Sequence, residues 1–328
     1  MKTIAQFIAG GITTLADLRG ALQTAMQLEF ATIPPYLCAE WSINSDNDPG
    51  GVLDMIQSIA AEEMFHFALA GNMLSAIGGK PSIANAGFVP SYPTRVLPGG
   101  IPQKLPVDLL PLSANQLQVF MQIEFPEFPP VALQAGAAAP TTIGAFYETI
   151  AAGFAAVNPT IVADANFVNM GEAVQIKTIA DAQAAILRIK GEGEGTYGSP
   201  DQPQPDDTKF AHYYVFKEIL TGKTLVQTNG QWAFTGAAIP FPAVFNFTQS
   251  NTQPDPSLAV NQALSQLLID LQTCWTSGTQ PNIGAMFGLA SLGQGLIQQG
   301  IRPEFLWSPP SPQLRAAAGG RPGTAPKA

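Results

Sequence analysis

The chain has 328 residues, 46% of them hydrophobic and only 12% charged, with a net charge of −9. That is enough apolar material for a large core and too little charge for a solvated, disordered body. The scarcity of Lys and Arg excludes a phosphate-binding face and with it nucleic acid, which leaves small molecules or proteins as partners.

Cys38 and Cys274 are the only cysteines and lie far apart, so neither a disulfide framework nor a thiolate zinc site is indicated, and a reducing cytoplasm is the expected location. The start of the chain imitates a secretion signal, but Gln6 and the Gly10-Gly11 break leave too short an apolar run, and no leader is expected. No stretch approaches the ~20 apolar residues of a membrane span.

Thr13 or Thr14 is placed to cap a first helix, whose seam runs Leu15, Leu18, Leu22, Met26, Glu29, Ile33 and Tyr36. A carboxylate interrupts an apolar stripe there, and Pro34-Pro35 just beyond it predicts a kink or an early helix end. After a turn cluster at residues 44–51, a second helix spans residues 52–77. Its seam of Val52, Ile56, Ile59, Glu63, His66, Ala70, Met73 and Ile77 is apolar except for the carboxylate and imidazole at its middle. Burying both without compensation costs several kcal/mol, roughly, and a metal ion compensates both at once. Glu-x-x-His sets the two side chains one turn apart on one face, the spacing used by the di-iron sites of ferritin-like bundles. Glu62, four residues before His66, competes with Glu63 for the ligand role.

Residues 80–111, punctuated by Pro and Gly, read as an ordered crossover loop. Ser113 then caps a third helix carrying Leu117, Phe120 and Glu124. Here the chain repeats itself: Met26-Gln27-Leu28-Glu29-Phe30 followed by Pro34-Pro35 is echoed by Met121-Gln122-Ile123-Glu124-Phe125 followed by Pro129-Pro130. The repeat predicts two segments doing the same job on opposite sides of one site. A helix over residues 142–157 offers no buried-looking polar partner for a metal and reads as packing.

Residues 179–189 are helical by period and run into Gly191-Glu192-Gly193-Glu194-Gly195, a glycine run that ends a helix and lacks the lysine of a phosphate loop. Asp206 or Asp207 is expected to cap a helix to Leu220 with His212, Phe216 and Ile219 on one face. Residues 225–234 around Asn229-Gly230 read as a β-hairpin with a type I′ turn. Residues 258–275 and 283–299 are a final helical pair, and the Pro- and Gly-rich residues from 308 onward read as a disordered tail.

Collected, the polar interruptions are Glu29, Glu63, His66, Glu124, Glu194 and His212. Four carboxylates and two imidazoles are the inventory of a two-metal site, and four carboxylates neutralise two divalent ions. Such an oxygen-rich set suits iron, with manganese or another divalent ion as the alternative. The absence of Gly-x-Ser-x-Gly and of H-E-x-x-H argues against a nucleophilic hydrolase and excludes a zincin.

Residues 22–36, 59–79, 121–130, 189–196 and 212–216 together resemble the ferritin-like family known as iminophenyl-pyruvate dimer synthase, found in violacein- and rebeccamycin-type bis-indole pathways and as stand-alone bacterial proteins. The resemblance implies that the six residues above are metal ligands and that the substrate is a small, aromatic or amino-acid-derived metabolite. One position departs from the general ferritin pattern. Lys209 stands three residues before His212, so the second Glu-x-x-His is missing, and Glu194 would have to replace that carboxylate; a single-metal or asymmetric site is the alternative.

The expected architecture is a mainly α, ferritin-like four-helix bundle over residues 1–220. A β-hairpin and packed helical pair over 221–307 and a disordered tail over 308–328 complete it. The expected function is a non-haem di-iron or other dimetal oxidoreductase using dioxygen or peroxide. A metal-binding or storage protein without small-molecule turnover is the second reading, and the chain is compatible with a homodimer.

Overall fold

The computed structural model describes residues 2–127, 142–171, 173–195, 197–202, 209–249 and 254–309, and among them are nine α-helices and four strands. The protein is mainly α-helical, as expected. A short α1, Ile4–Gly10, was not foreseen in the signal-like start; Thr3 and Gln6 close a capping box around its first turn.

Two long helices form the centre: α2 is Leu15–Trp41, capped by Thr14, and α3 is Val52–Ala76. They pack against one another along their length. α2 runs through Pro34 and Pro35 instead of ending there. Pro35 has no N–H for the Ala31 carbonyl, and the Tyr92 hydroxyl donates to that carbonyl instead, at 2.8 Å. The early helix end is therefore not seen, because an outside donor replaces the missing bond.

The segment read as a crossover loop contains a two-stranded sheet, β1 (Thr94–Leu97) antiparallel to β2 (Ile101–Val107), with Gly99 and Gly100 both at positive φ in the turn. The alternation around Pro102 and Pro106 hid it, since prolines argue against a strand unless it is an edge. α4, Ala114–Ile123, is capped by Ser113 as predicted, and Glu124 is its C-cap. Pro129-Pro130 of the second repeat lie outside the described residues.

α5 is Ile143–Val157, and α6 is Ile179–Glu194, five residues longer than its apolar period suggested. α7, His212–Thr221, starts at His212 with Ala211 as N-cap, so the expected Asp cap is not its start; Asp206 and Asp207 lie outside the described residues. α5 packs on α6, and α4 on α7, completing the bundle around α2 and α3. β3 (Lys223–Thr228) and β4 (Gln231–Ala238) form the predicted hairpin, with Asn229 and Gly230 both at positive φ as a type I′ turn requires.

α8, Leu258–Ser277, and α9, Ala285–Gln298, pack together and lie against α3 and α2. Two close approaches seat them. Gly71 of α3 faces the Trp275 indole, and Gly293 of α9 faces the Trp41 indole. Ser308, placed in the expected tail, donates its N–H to Ser265 at 2.7 Å, and residues 310–328 lie outside the described part. Among the described residues no helix is long and apolar enough to cross a membrane.

Between the α2–α3 pair and the α8–α9 pair lies an apolar cavity of about 550 Å³. Glu40 of α2 lines it, and its carboxyl accepts one hydrogen bond, from Gln57 Nε2 at 3.3 Å. Burial pushes this carboxyl up to about 7.

Two predictions follow from this packing. Gly71→Ala gains roughly 1 kcal/mol of helix propensity, yet its methyl overlaps an indole fixed by a 2.8 Å bond from Trp275 Nε1 to Asn72 Oδ1. Overpacking at about 1–3 kcal/mol outweighs the gain, so the urea midpoint falls; an unchanged or higher midpoint contradicts the packing. For Glu40, the folded state holds its proton more tightly than the unfolded chain does. Its contribution to stability is therefore greatest below pH 4.5 and declines as pH rises to about 7. Urea unfolding of the protein and of Glu40→Gln at pH 5 and pH 8 checks this, the variant being relatively more stable at pH 8 by about 2–3 kcal/mol.

Candidate metal centre

Five of the six residues singled out by sequence converge in the bundle interior, and all are nearly inaccessible to solvent: Glu29, Glu63, His66, Glu124 and His212. They form two overlapping triads, Glu29–Glu63–His66 and Glu63–Glu124–His212, with donor atoms within 4.8 Å of one another in each. Glu63 belongs to both. Its Oε1 lies 3.6 Å from His66 Nδ1 and 3.0 Å from His212 Nδ1, so one carboxylate oxygen stands between two imidazoles. The two rings are nearly parallel, with centroids 5.7 Å apart.

The outer carboxylates come from the repeated motif. Glu29 sits mid-helix on α2 on the His66 side, and Glu124 caps α4 on the His212 side, with Oε2 3.8 Å from His212 Nδ1. The Tyr147 hydroxyl donates to Glu29 Oε1, and the Tyr36 hydroxyl donates to Glu124 Oε1 at 2.5 Å. α5 is thus more than packing, because it delivers Tyr147. Thr32 holds the second oxygen of Glu63 at 2.8 Å.

Each imidazole is fixed from behind. His66 Nε2 lies 2.7 Å from Glu192 Oε2, and Arg188, one turn earlier on α6, donates to Glu192 Oε1 at 2.6 Å. His212 Nε2 lies 2.8 Å from Glu62 Oε2, which also accepts from Gln202 Nε2 at 3.1 Å; Lys209 Nζ is 3.4 Å from Glu62 Oε1. Glu62 therefore faces the back of His212 while Glu63 faces the centre, as consecutive helical residues must diverge by about 100°. A carboxylate on the far nitrogen of a histidine fixes the tautomer that leaves Nδ1 directed inward, the arrangement of metal-binding histidines.

Glu194 borders the same interior without joining either triad. It accepts the N–H of Gly144 at 2.6 Å and of Glu127 at 3.1 Å, which places it at the N-terminus of α5. Gly144 and Gly193 have no side chain because a Cβ at the first would overlap the Glu194 carboxylate, and one at the second would crowd Glu124 Oε2 at 3.2 Å.

Electrostatically the centre calls for positive charge. Burial alone would keep the imidazoles neutral, yet Glu192 and Glu63 push His66 up to about 10, and Glu124, Glu62 and Glu63 raise His212 as well. Burial and the neighbouring Glu63 raise Glu29 and Glu124, while Glu63 itself is held low, against its burial, by the two histidines. Burial likewise works against Glu62, yet hydrogen bonding and charge from His212 bring it down to about 2.

A direct test of fit to a metal is His212 Nδ1. It is buried and makes no hydrogen bond despite its 3.0 Å approach to Glu63, because that approach lacks hydrogen-bond geometry. A buried, unpaired nitrogen among carboxylates suits a cation. The cavity among Glu29, Glu63, His66, Glu124 and Glu194 measures about 20 Å³, room for an ion or a water but not an organic molecule.

Sequence reasoning missed Glu192, Tyr147, Thr32 and Arg188. For Glu192 a signal existed: Arg188 four residues earlier and Glu194 two residues later on the same helix end. A tyrosine on an otherwise apolar helix carries no such mark.

Residues 22–221 match the family model described as Ferritin-like, and the chain belongs to that family. Its fold resembles that of a ferritin-like protein from Caulobacter vibrioides, with a TM-score of 0.67 at 20% identity, covering 90% of this chain and 99% of the other. A partial sequence relative is dichlorochromopyrrolate synthase from Lentzea aerocolonigenes, 28% identical over 142 residues. That match covers 35% of this chain and 13% of the relative's length.

In metal-free protein the His66 imidazole should stay protonated beyond pH 8, and Glu192→Gln should lower its pKa by about 1 unit or more, since a hydrogen-bonded carboxylate is removed. Imidazole chemical shifts followed against pH check this; a His66 that titrates near 6.5 in both proteins contradicts the assigned pairing.

Proposed function

We propose that this protein is a non-haem dimetal carboxylate oxidoreductase that uses dioxygen or peroxide on a small, aromatic or amino-acid-derived metabolite. The observation that carries the reading is Glu63 Oε1 standing between two Nδ1 atoms, each flanked by its own outer carboxylate. Iron is the favoured metal and manganese the alternative, because the donors are carboxylate oxygens with one imidazole per position and no thiolate.

Glu29, Glu63 and His66 would hold one ion; Glu63, Glu124 and His212 the other. Glu194 is a further ligand candidate from the border of the cavity. Two redox-active ions would supply electrons to the oxidant and a Lewis acid beside the substrate.

The chain's own residues do the rest. Tyr36 and Tyr147 orient the outer carboxylates through their hydroxyls. Glu192 and Glu62 hold the proton on each Nε2, keeping both Nδ1 atoms free to ligate. Surrounding apolar side chains exclude bulk water, which strengthens every charge interaction inside. The aromatic substrate class rests on the activity that the name of the partial relative, dichlorochromopyrrolate synthase, describes and on the resemblance to imine-dimerising enzymes, an argument by analogy. Two buried, unpaired cysteines fit a reducing compartment such as the cytoplasm.

One observation favours a second reading. With only about 20 Å³ beside the carboxylates, the site as it stands admits no organic substrate, which suits metal binding without turnover.

Metal analysis of protein purified without chelator tests both. The expected result is about two ions per chain, with Glu63→Ala losing both and His66→Ala or His212→Ala losing about one. No metal above background in the unaltered protein would overturn the reading. Oxygen consumption by the iron-loaded protein in the presence of aromatic amino or imino acids separates the two functions, since a storage protein oxidises its iron once and then stops.

A further inference from the structure

The cavity behind the α2–α3 pair carries a second site. Its walls are almost wholly apolar, and its roughly 550 Å³ falls in the range of small-molecule pockets. None of the six candidate metal ligands lines it. Phe30, Ile33, Met64 and Phe67 face it, while their neighbours Glu29, Thr32, Glu63 and His66 face the bundle interior, so each helix serves two sites from opposite sides.

Among the described residues the only ionisable side chain lining this cavity is Glu40, just 5% exposed, and neither Lys, Arg nor His is among its walls. Other buried carboxyls have more or stronger partners: Glu194 has two backbone N–H groups, and Glu62 and Glu192 have a histidine together with Lys209 or Arg188. Glu40 has one amide donor, Gln57, at 3.3 Å. A carboxyl this deep in apolar surroundings with a single neutral partner has room for a cationic one.

We propose that this cavity binds an apolar organic amine, with the ammonium on Glu40 and Gln57 and the hydrocarbon body between α2–α3 and α8–α9. The charge pattern selects the class, because a carboxylate or phosphate ligand would meet the one acid of the site and no cation. Aromatic walls such as Phe30, Phe67 and Phe305 add cation–π and stacking surface for an aryl-alkyl chain. The ligand would be held away from the candidate metal centre, so the site is distinct from that of an oxidised substrate, and the proposal stands whether or not the centre binds metal.

Calorimetric titration of the full chain with three probes that share a phenyl group and a four-methylene chain tests it: 4-phenylbutylamine, 4-phenylbutanol and 5-phenylpentanoate. The amine should bind saturably at one site, about tenfold or more tighter than the carboxylate. Glu40→Gln should weaken the amine about tenfold while leaving the alcohol unchanged, and Ala60→Trp, which fills the cavity, should abolish both. Urea midpoints of the variants, unchanged or higher for Glu40→Gln, separate lost binding from lost fold.

Equal affinity for amine and carboxylate, or amine binding that survives Glu40→Gln, would overturn the proposal, and so would the absence of saturable binding. It would also be overturned by a stable dimer that Phe287→Asp dissociates, because the 79% exposed Phe287 at the cavity edge would then mark a seat for a second copy.

Discussion

Everything in the bundle is arranged around one carboxylate between two imidazoles. Glu63 sits where burial disfavours its charge, and it is held ionised by His66 on its own helix and His212 on another. Removing either histidine leaves this buried negative charge only half compensated, and breaking a buried ion pair in this way is strongly destabilising. That constraint explains why α7 begins at His212, with the imidazole at the first helical residue, and why α6 continues past its apolar period to bring Glu192 against His66. Helix ends, usually the frayed parts of a bundle, are here fixed by ionic contacts at its centre.

α2 and α3 carry the burden on both faces. Because a helix turns 100° per residue, adjacent positions diverge, and these two helices use adjacent positions for different work: Glu29 beside Phe30, Glu62 beside Glu63, His66 beside Phe67. A helix buried all round shows no sharp amphipathic stripe, and such sequences normally read as featureless. Here the polar residues among the apolar ones betray the interior face. The matched halves of the repeat then become intelligible, because Glu29 and Glu124 are the outer members of two triads sharing Glu63, each held by a tyrosine hydroxyl.

Much of this was legible in the chain itself. Glu63 and His66 were visible as interruptions of one seam, the repeat drew attention to Glu29 and Glu124, and the hairpin at Asn229-Gly230 and the last two helices followed from turn chemistry and period. What was hidden depends on contacts far apart in sequence. Tyr147 meets Glu29 across 118 positions and Glu192 meets His66 across 126, and neither has a local periodic signature. The continuation of α2 through Pro34-Pro35 was equally invisible, since it depends on a hydroxyl from Tyr92 that no reading of the helix alone could supply.

At Lys209 the two halves of the centre differ. In a symmetric bundle the carboxylate beside the second histidine would sit three residues earlier on the same helix. Here that position lies outside α7 and holds a cation, so Glu63 of α3 is the inward carboxylate that approaches both histidines. Lys209 then lies beside Glu62 as Arg188 lies beside Glu192, so each histidine is backed by a carboxylate that is itself near a cation. The two backings differ in strength. Glu192 is bonded to an arginine at 2.6 Å, whereas Lys209 is about half exposed and 3.4 Å from Glu62. Neutral donors supplement the more distant cation, since Gln202 Nε2 and Ser58 Oγ also donate to the Glu62 carboxylate, at 3.1 and 3.2 Å. The two histidines are therefore alike in having a carboxylate behind them and unlike in how that carboxylate is held, by one close arginine at His66 and by several weaker donors at His212.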